Sequence, residues 1–145
     1  MLDLWSFARA RLGIPGPKYS LVGRWIGYFP RGRFRHDSIA AAAPLPGEMA
    51  IGWIAHYLIG MAYAGVLLAV WGLDWARYPT IAPALIVGIG SVAAPFFIMQ
   101  PGMGAGVASS RMPNPSVARL RSLLAHTVFG IGLYLAALAV SGLAL

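Results

Sequence analysis

The sequence predicts an all-α membrane protein, a bundle of three transmembrane helices with an amphipathic N-terminal region. Hydrophobic residues make up 59% of the 145 residues and charged residues only 10%, whereas soluble domains have about 25% charged residues. Three apolar stretches contain no Asp, Glu, Lys or Arg, and each is close to the length of about 20 residues that a membrane-spanning helix needs. None of the three alternates apolar and polar residues, as transmembrane strands do.

The three apolar stretches define the organisation of the chain, which we treat as a single membrane domain over 1–145. We predict helix A over 51–71, helix B over 80–99 and helix C over 122–145. Pro46-Gly47 breaks the chain before A, and Glu48 then favours a helix N-terminus. Pro95 lies inside B and is expected to kink it. Residues 1–48 form a cytoplasmic or interfacial region, and 100–121 form a cytoplasmic loop rich in Gly and Pro.

The positive charge is distributed asymmetrically along the chain, whose net charge is +7. Only Arg77 lies in the turn between A and B. The other ten basic residues precede A or lie between B and the start of C: Arg9, Arg11, Lys18, Arg24, Arg31, Arg33, Arg35, Arg111, Arg119 and Arg121. The positive-inside rule therefore places the N-terminal region and the B–C loop in the cytoplasm and the C-terminus on the opposite side. Because these residues flank apolar segments, we expect the bilayer and anionic lipid head groups as partners, and no nucleic acid.

Six short motifs distributed over nearly the whole chain suggest a family. They are Asp3-Leu4-Trp5, Gly23-Arg24-Trp25, Gly32-Arg33-Phe34-Arg35-His36, Pro46-Gly47-Glu48, Gly52-Trp53-Ile54-Ala55-His56-Tyr57 and Gln100-Pro101-Gly102-Met103-Gly104-Ala105-Gly106. Together they resemble a bacterial inner-membrane family known only as a domain of unknown function (DUF2938-like). The resemblance implies a multi-pass inner-membrane protein and no reaction. In the inner membrane, the C-terminus that the arginine distribution places opposite the cytoplasm would be periplasmic.

The resemblance also implies four membrane helices, with the Asp-Leu-Trp motif near the end of the first. In this sequence the motif stands at residues 3–5. Three alternatives therefore stay open: a truncated chain, a start codon assigned too late, or a three-helix architecture.

Polar residues within or beside the apolar helices are the candidates for a functional site. His56 and His126 lie four to five residues inside A and C, or roughly 6–8 Å below the cytoplasmic surface at about 1.5 Å per residue. Gln100 and Glu48 lie at the same side, and the family resemblance adds Asp3. Small residues flank both histidines at four-residue spacing, in Gly52, Gly60 and Ala64 on A and in Ser122 and Gly130 on C. Such faces favour close helix contact, so we expect these groups to form one polar layer.

Arg111, next to Ser109 and Ser110, is a second candidate, because it could bind an anion or a lipid head group. The alternative is that Arg111 only anchors the loop to lipid phosphates. The glycine-rich run before it lacks the Lys-Ser/Thr ending of a P-loop, which argues against nucleotide binding.

Three functions stay open at this point. The first is a small binding or transport-type module that uses the polar layer, and the second is a structural or accessory membrane subunit. The third is a metal- or haem-binding protein with His56 and His126 as ligands. The chain has no cysteine, so thiolate sites are excluded. We predict no cofactor, with the metal or haem of the third function as the alternative. Whether the protein is an enzyme stays open, with no enzymatic activity as the favoured answer. We expect a homo-oligomer or a partner subunit, because three helices bury little surface.

Overall fold

The computed structural model describes residues 18–143, and this part of the chain contains helices, turns and no strand. Four helices organise it: α1 (Tyr19–Gly27), α2 (Glu48–Arg77), α3 (Ile81–Gly90) and α4 (Pro115–Leu143). Short 3₁₀ turns at Phe29–Arg31 and Ile39–Ala41 lie between α1 and α2. Asp3, with the first of the family motifs, lies outside the described residues.

Three of the helical stretches are long and apolar enough to cross a membrane: Glu48–Arg77, Ile81–Gly102 and Pro115–Gly142. The predicted segments A, B and C lie within or closely overlap these stretches. Helix α2 contains one non-helical residue, Gly72 (φ 77°), directly after the predicted end of A. Helix α4 begins seven residues before the predicted start of C, because Pro115 has a fixed φ that suits the first turn of a helix.

The second stretch is discontinuous. Helix α3 ends at Gly90, the chain turns at Ser91 and Val92, and a π-helical segment follows at Pro95–Met99. Pro95 has no N–H group and its ring clashes with the carbonyl four residues earlier, which is that of Ser91. The kink expected at Pro95 is therefore present as a break just before it.

The described chain divides into two compact units. Unit one contains Met61–Val92 and 122–143. Its core is formed by Leu67, Trp75, Ala84 and Val87, with Leu133 and Tyr134 of α4 packed against them. Unit two contains 18–60 and Ala93–Arg121, and its buried side chains include those of Arg24, Tyr28 and His36.

Candidate functional site

A buried hydroxyl and an imidazole form a pair in unit one. Ser91 Oγ lies 2.7 Å from His126 Nδ1 and 2.6 Å from the carbonyl oxygen of Gly88. A serine hydroxyl has a single proton to donate. Since Ser91 donates it to Gly88, the hydroxyl oxygen accepts a hydrogen bond from the Nδ1–H of His126, and this assigns the histidine tautomer.

The pair lies deep in the second apolar stretch. Ser91 is only 3% exposed and lies ten residues after Ile81, the first residue of the second apolar stretch, which is roughly 15 Å along α3 at about 1.5 Å per residue. His126 must lie at the same level to make its hydrogen bond. The depth of roughly 6–8 Å below the cytoplasmic surface expected from the sequence for His126 stays a prediction.

A close contact between two glycines brings α3 and α4 together beside this pair. A Cβ atom on Gly88 would lie 2.3 Å from the Cα of Gly130 and 2.9 Å from the carbonyl oxygen of His126. Only glycine fits at such a distance, so the small-residue face predicted on helix C does contact protein. The contact sets the helix separation at which Ser91 reaches His126.

Glu48 forms an ion pair with Arg24 in unit two. Arg24 donates from Nε and Nη2 to the two carboxylate oxygens at 2.7 and 2.8 Å, and the Leu45 N–H donates a third hydrogen bond. Arg24 Nη1 also donates to the Ala42 carbonyl at 2.9 Å. The hydrogen bonds that Arg24 donates to the Glu48 carboxylate raise the pKa of the guanidinium. The arrangement closes the connection between Gly27, the last residue of α1, and Glu48, the first residue of α2, and gives Glu48 a structural role.

The glycine-rich run of unit two packs along the segment at 36–39. The N–H groups of His36 and Ile39 donate to the carbonyls of Gly102 and Met103 at 2.9 and 3.0 Å. A Cβ on Gly104 (φ 93°) would lie 2.1 Å from the Asp37 carbonyl oxygen. This close backbone approach explains why the run is rich in glycine.

Gln100 and Arg111 occupy opposite ends of the loop that follows. Gln100 Oε1 accepts a hydrogen bond from the buried Ser109 hydroxyl at 3.0 Å. Ala108 and Ser109 both have positive φ (47° and 60°), a conformation that costs residues other than glycine about 1–2 kcal/mol each. Arg119 Nε holds this turn by donating to the Ala108 carbonyl at 2.8 Å. Arg111 is exposed.

His56 lies in an aromatic cluster of unit two. Its ring centroid is 4.9 Å from that of Tyr19, 6.0 Å from that of Trp53 and 5.7 Å from that of Tyr57. The Tyr19 backbone can come this close to α2 because Gly52 has no side chain. A Cβ on Gly52 would lie 1.9 Å from the Tyr19 carbonyl oxygen. His56 and His126 belong to different units, and within residues 18–143 no group of three or more His, Asp or Glu is placed to hold a metal ion.

Three residues of these arrangements were not singled out by the sequence as site candidates. Ser91 is preceded by a glycine in the middle of an apolar stretch, a combination that often marks a helix break. Arg24 is the only charged residue within α1. His36 is 6% exposed, and neither of its ring nitrogens has a hydrogen-bond partner among the described residues.

The whole sequence was compared with known proteins. No curated protein and no solved structure matches it. A family model described as a protein of unknown function (DUF2938) matches residues 1–140. The match covers the motifs from Asp3 to Gly106 as well as both histidine-bearing helices. The chain therefore belongs to the DUF2938 family of proteins of unknown function.

Proposed function

We propose that this chain is an integral protein of the bacterial inner membrane and acts as a small binding or transport-type module. Support for the membrane comes from exposure of the apolar stretches. Only 6%, 17% and 6% of their most apolar windows is buried within the chain. A soluble monomer rarely exposes continuous apolar surface of more than a few hundred Å². Lipid, with further protein helices, is the environment that suits such surfaces.

The discontinuous helix carries the functional part of the proposal. Backbone that is not α-helical is tolerated at membrane depth where protein or a polar cavity surrounds it, and broken helices of this kind hold the binding sites of many transporters. Here the break places Ser91 against His126 at 2.7 Å. An ionisable side chain at this depth is a functional candidate by default.

The chemistry of the pair favours a proton as the bound species. Imidazole gains and loses a proton near neutral pH. The hydrogen bonds from His126 Nδ1 to Ser91 and from Ser91 to the Gly88 carbonyl fix the ring, and because Nδ1 already carries a proton, a further proton binds at Nε2. We infer that His126 takes up the proton and that Ser91 orients the ring. A small polar solute could bind to the same groups while the His126 imidazole is neutral.

Proton flux into liposomes tests this function. Purified protein is reconstituted around the pH-sensitive dye pyranine and an external pH step is applied. We expect the wild type to equilibrate the gradient faster than protein-free liposomes, His126→Gln to reduce that excess rate at least tenfold, and Ser91→Ala to reduce it partially. Thr127→Ala, which removes a hydroxyl bonded only within α4, is the matched control. Equal rates in wild type and His126→Gln would contradict the proposal.

A structural or accessory role is the second candidate, and the ion pair of Arg24 with Glu48 and the hydrogen bond of Ser109 to Gln100 favour it. Both interactions use polar groups to hold the chain together. In this case His126→Gln changes the melting temperature and has no effect on flux.

The proposed orientation follows from the arginine distribution and puts the N-terminal region and the 100–121 loop in the cytoplasm. Because the chain has no cysteine, single cysteines introduced at Tyr78 and Ser110, both exposed, can be labelled separately. A membrane-impermeant maleimide added to intact spheroplasts should label Tyr78→Cys and not Ser110→Cys. The reverse pattern would contradict the orientation.

A further inference from the structure

Two arginines share one aromatic ring at the turn after α1. The guanidinium carbons of Arg31 and Arg33 each lie 5.3 Å from the centroid of the Tyr28 ring. Gly32 makes this possible, because its positive φ of 68° reverses the chain between the two arginines. Tyr28 itself is held by a hydrogen bond from its hydroxyl to the Ala43 carbonyl at 3.0 Å. Both cations are therefore held against the same ring.

Neither cation has a carboxylate partner in residues 18–143. The ion pairs in this part of the chain are Arg24 with Glu48 and Arg77 with Asp74. Both Arg31 and Arg33 are exposed. Two like charges held against one ring repel each other, and an anion with several oxygen atoms relieves the repulsion while accepting guanidinium hydrogen bonds. A phosphate group has this chemistry.

Apolar aromatic residues flank the two arginines in the chain and contact one another. Trp25 and Phe29 contact each other at 4.8 Å between ring centroids, and Phe29 contacts Phe34 at 5.1 Å. Phe34 is 59% exposed, and Trp25 Nε1 donates to its carbonyl at 2.8 Å. Exposed aromatics next to cations are typical of protein at the lipid–water interface. The apolar rings favour a phosphate that carries a lipid over a free phosphate ion.

Unit two also places this turn at the level where the apolar stretches begin and end. The His36 N–H donates to the carbonyl of Gly102, the last residue of the second stretch. Arg24, in the helix that leads into the turn, pairs with Glu48, the first residue of the first stretch. The turn is therefore connected to the start of the first apolar stretch and to the end of the second. Its surface lies next to lipid head groups when these stretches cross a bilayer.

We propose that Tyr28, Phe29, Arg31, Arg33 and Phe34, here called the arginine–aromatic surface, bind the head group of an anionic phospholipid. The arginines bind the phosphate and its neighbouring anionic oxygens, and the phenylalanines contact the glycerol and upper acyl region. The proposal rests on the membrane embedding proposed above and is independent of proton binding at His126.

Lipid retention by the full-length protein in detergent tests the proposal. Purified protein is titrated with dioleoylphosphatidylglycerol or dioleoylphosphatidylcholine, and bound lipid is counted by native mass spectrometry. We expect preferential retention of phosphatidylglycerol. Each arginine near an anionic surface contributes about fivefold in affinity, so Arg31→Gln/Arg33→Gln should weaken retention roughly 30-fold. Arg77→Gln/Arg121→Gln removes the same charge from two other exposed positions and should retain wild-type affinity.

Three results would overturn the proposal. Equal loss in both double variants would mean that only net charge matters, and equal retention of the two lipids would mean that the head group is not recognised. Complete competition by millimolar inorganic phosphate would assign the site to free phosphate. A protein that stays soluble and monomeric without detergent would instead contradict the membrane embedding. The four substituted arginines are exposed, so we expect all variants to fold. Their melting temperatures check this.

Discussion

Gly88→Ala perturbs the contact that sets the distance between α3 and α4. The added Cβ would lie 2.3 Å from the Gly130 Cα, whereas carbon atoms in contact are about 3.5 Å apart or more. The helices must therefore separate by about 1.2 Å at this point. A shift of that size along the line between the helices would lengthen the Ser91–His126 hydrogen bond to about 3.9 Å, beyond the range of a hydrogen bond.

The expected cost has two parts. Forcing extra volume into a packed contact costs about 1–3 kcal/mol. Losing a hydrogen bond between membrane helices costs about 0.6 kcal/mol on average. We therefore expect Gly88→Ala to lower the free energy of unfolding by roughly 2–3 kcal/mol.

Unfolding in mixed micelles of dodecyl maltoside and sodium dodecyl sulfate, followed by circular dichroism, measures this free energy. Gly90→Ala is the control on the same helix, because nothing lies within 4 Å of its added Cβ, and it should be neutral or stabilising by up to about 1 kcal/mol. The ¹⁵N spectrum of labelled histidine reports whether His126 Nδ1 keeps its proton and its hydrogen bond. Wild-type stability and an unchanged His126 signal in Gly88→Ala would refute the reasoning.

Two further predictions concern unit two. Arg24→Met leaves the Glu48 carboxylate without its partner and should lower the melting temperature by several degrees. Arg24→Met/Glu48→Leu should recover most of that loss, because removing both charges leaves no buried charge unpaired. A double variant no more stable than the single one would argue against this account. Ala108→Gly relieves the strain of a left-handed backbone (φ 47°). It should stabilise the fold by roughly 0.5–1 kcal/mol after the added entropy of the unfolded chain is subtracted. Ala105→Gly, at a position without positive φ, should destabilise the fold by a similar amount, and equal effects of the two substitutions in denaturant unfolding would contradict the role of strain.

Local composition was sufficient to predict the long helices. Hydrophobic runs without charge located all three stretches, and Pro95 predicted a discontinuity in the second. The ends of the helices were less predictable. Helix α4 extends back to Pro115 through Arg119 and Arg121. This start was not predictable, because a polar helical turn beyond an apolar run carries no hydropathy pattern that distinguishes it from a loop.

The candidate site was predictable only in part. His126 stood out because an imidazole in an apolar helix is unusual, but its partner Ser91 is 35 residues away, and serines are common in apolar helices. Glu48 was placed correctly at the start of a helix, where it interacts favourably with the N-terminus, while its ion pair with Arg24 spans 24 residues. Pairings at such separations depend on how the elements pack.

The sequence by itself determined that three helices are long and apolar enough to cross a bilayer, because helix length and hydrophobicity are sums over neighbouring residues. Only the tertiary structure decided which polar groups meet. The close contact of Gly88 with Gly130 sets the rotation and separation of α3 and α4, and the Arg24–Glu48 ion pair closes the N-terminal connection. These arrangements depend on distances between residues far apart in the chain, which no local pattern specifies.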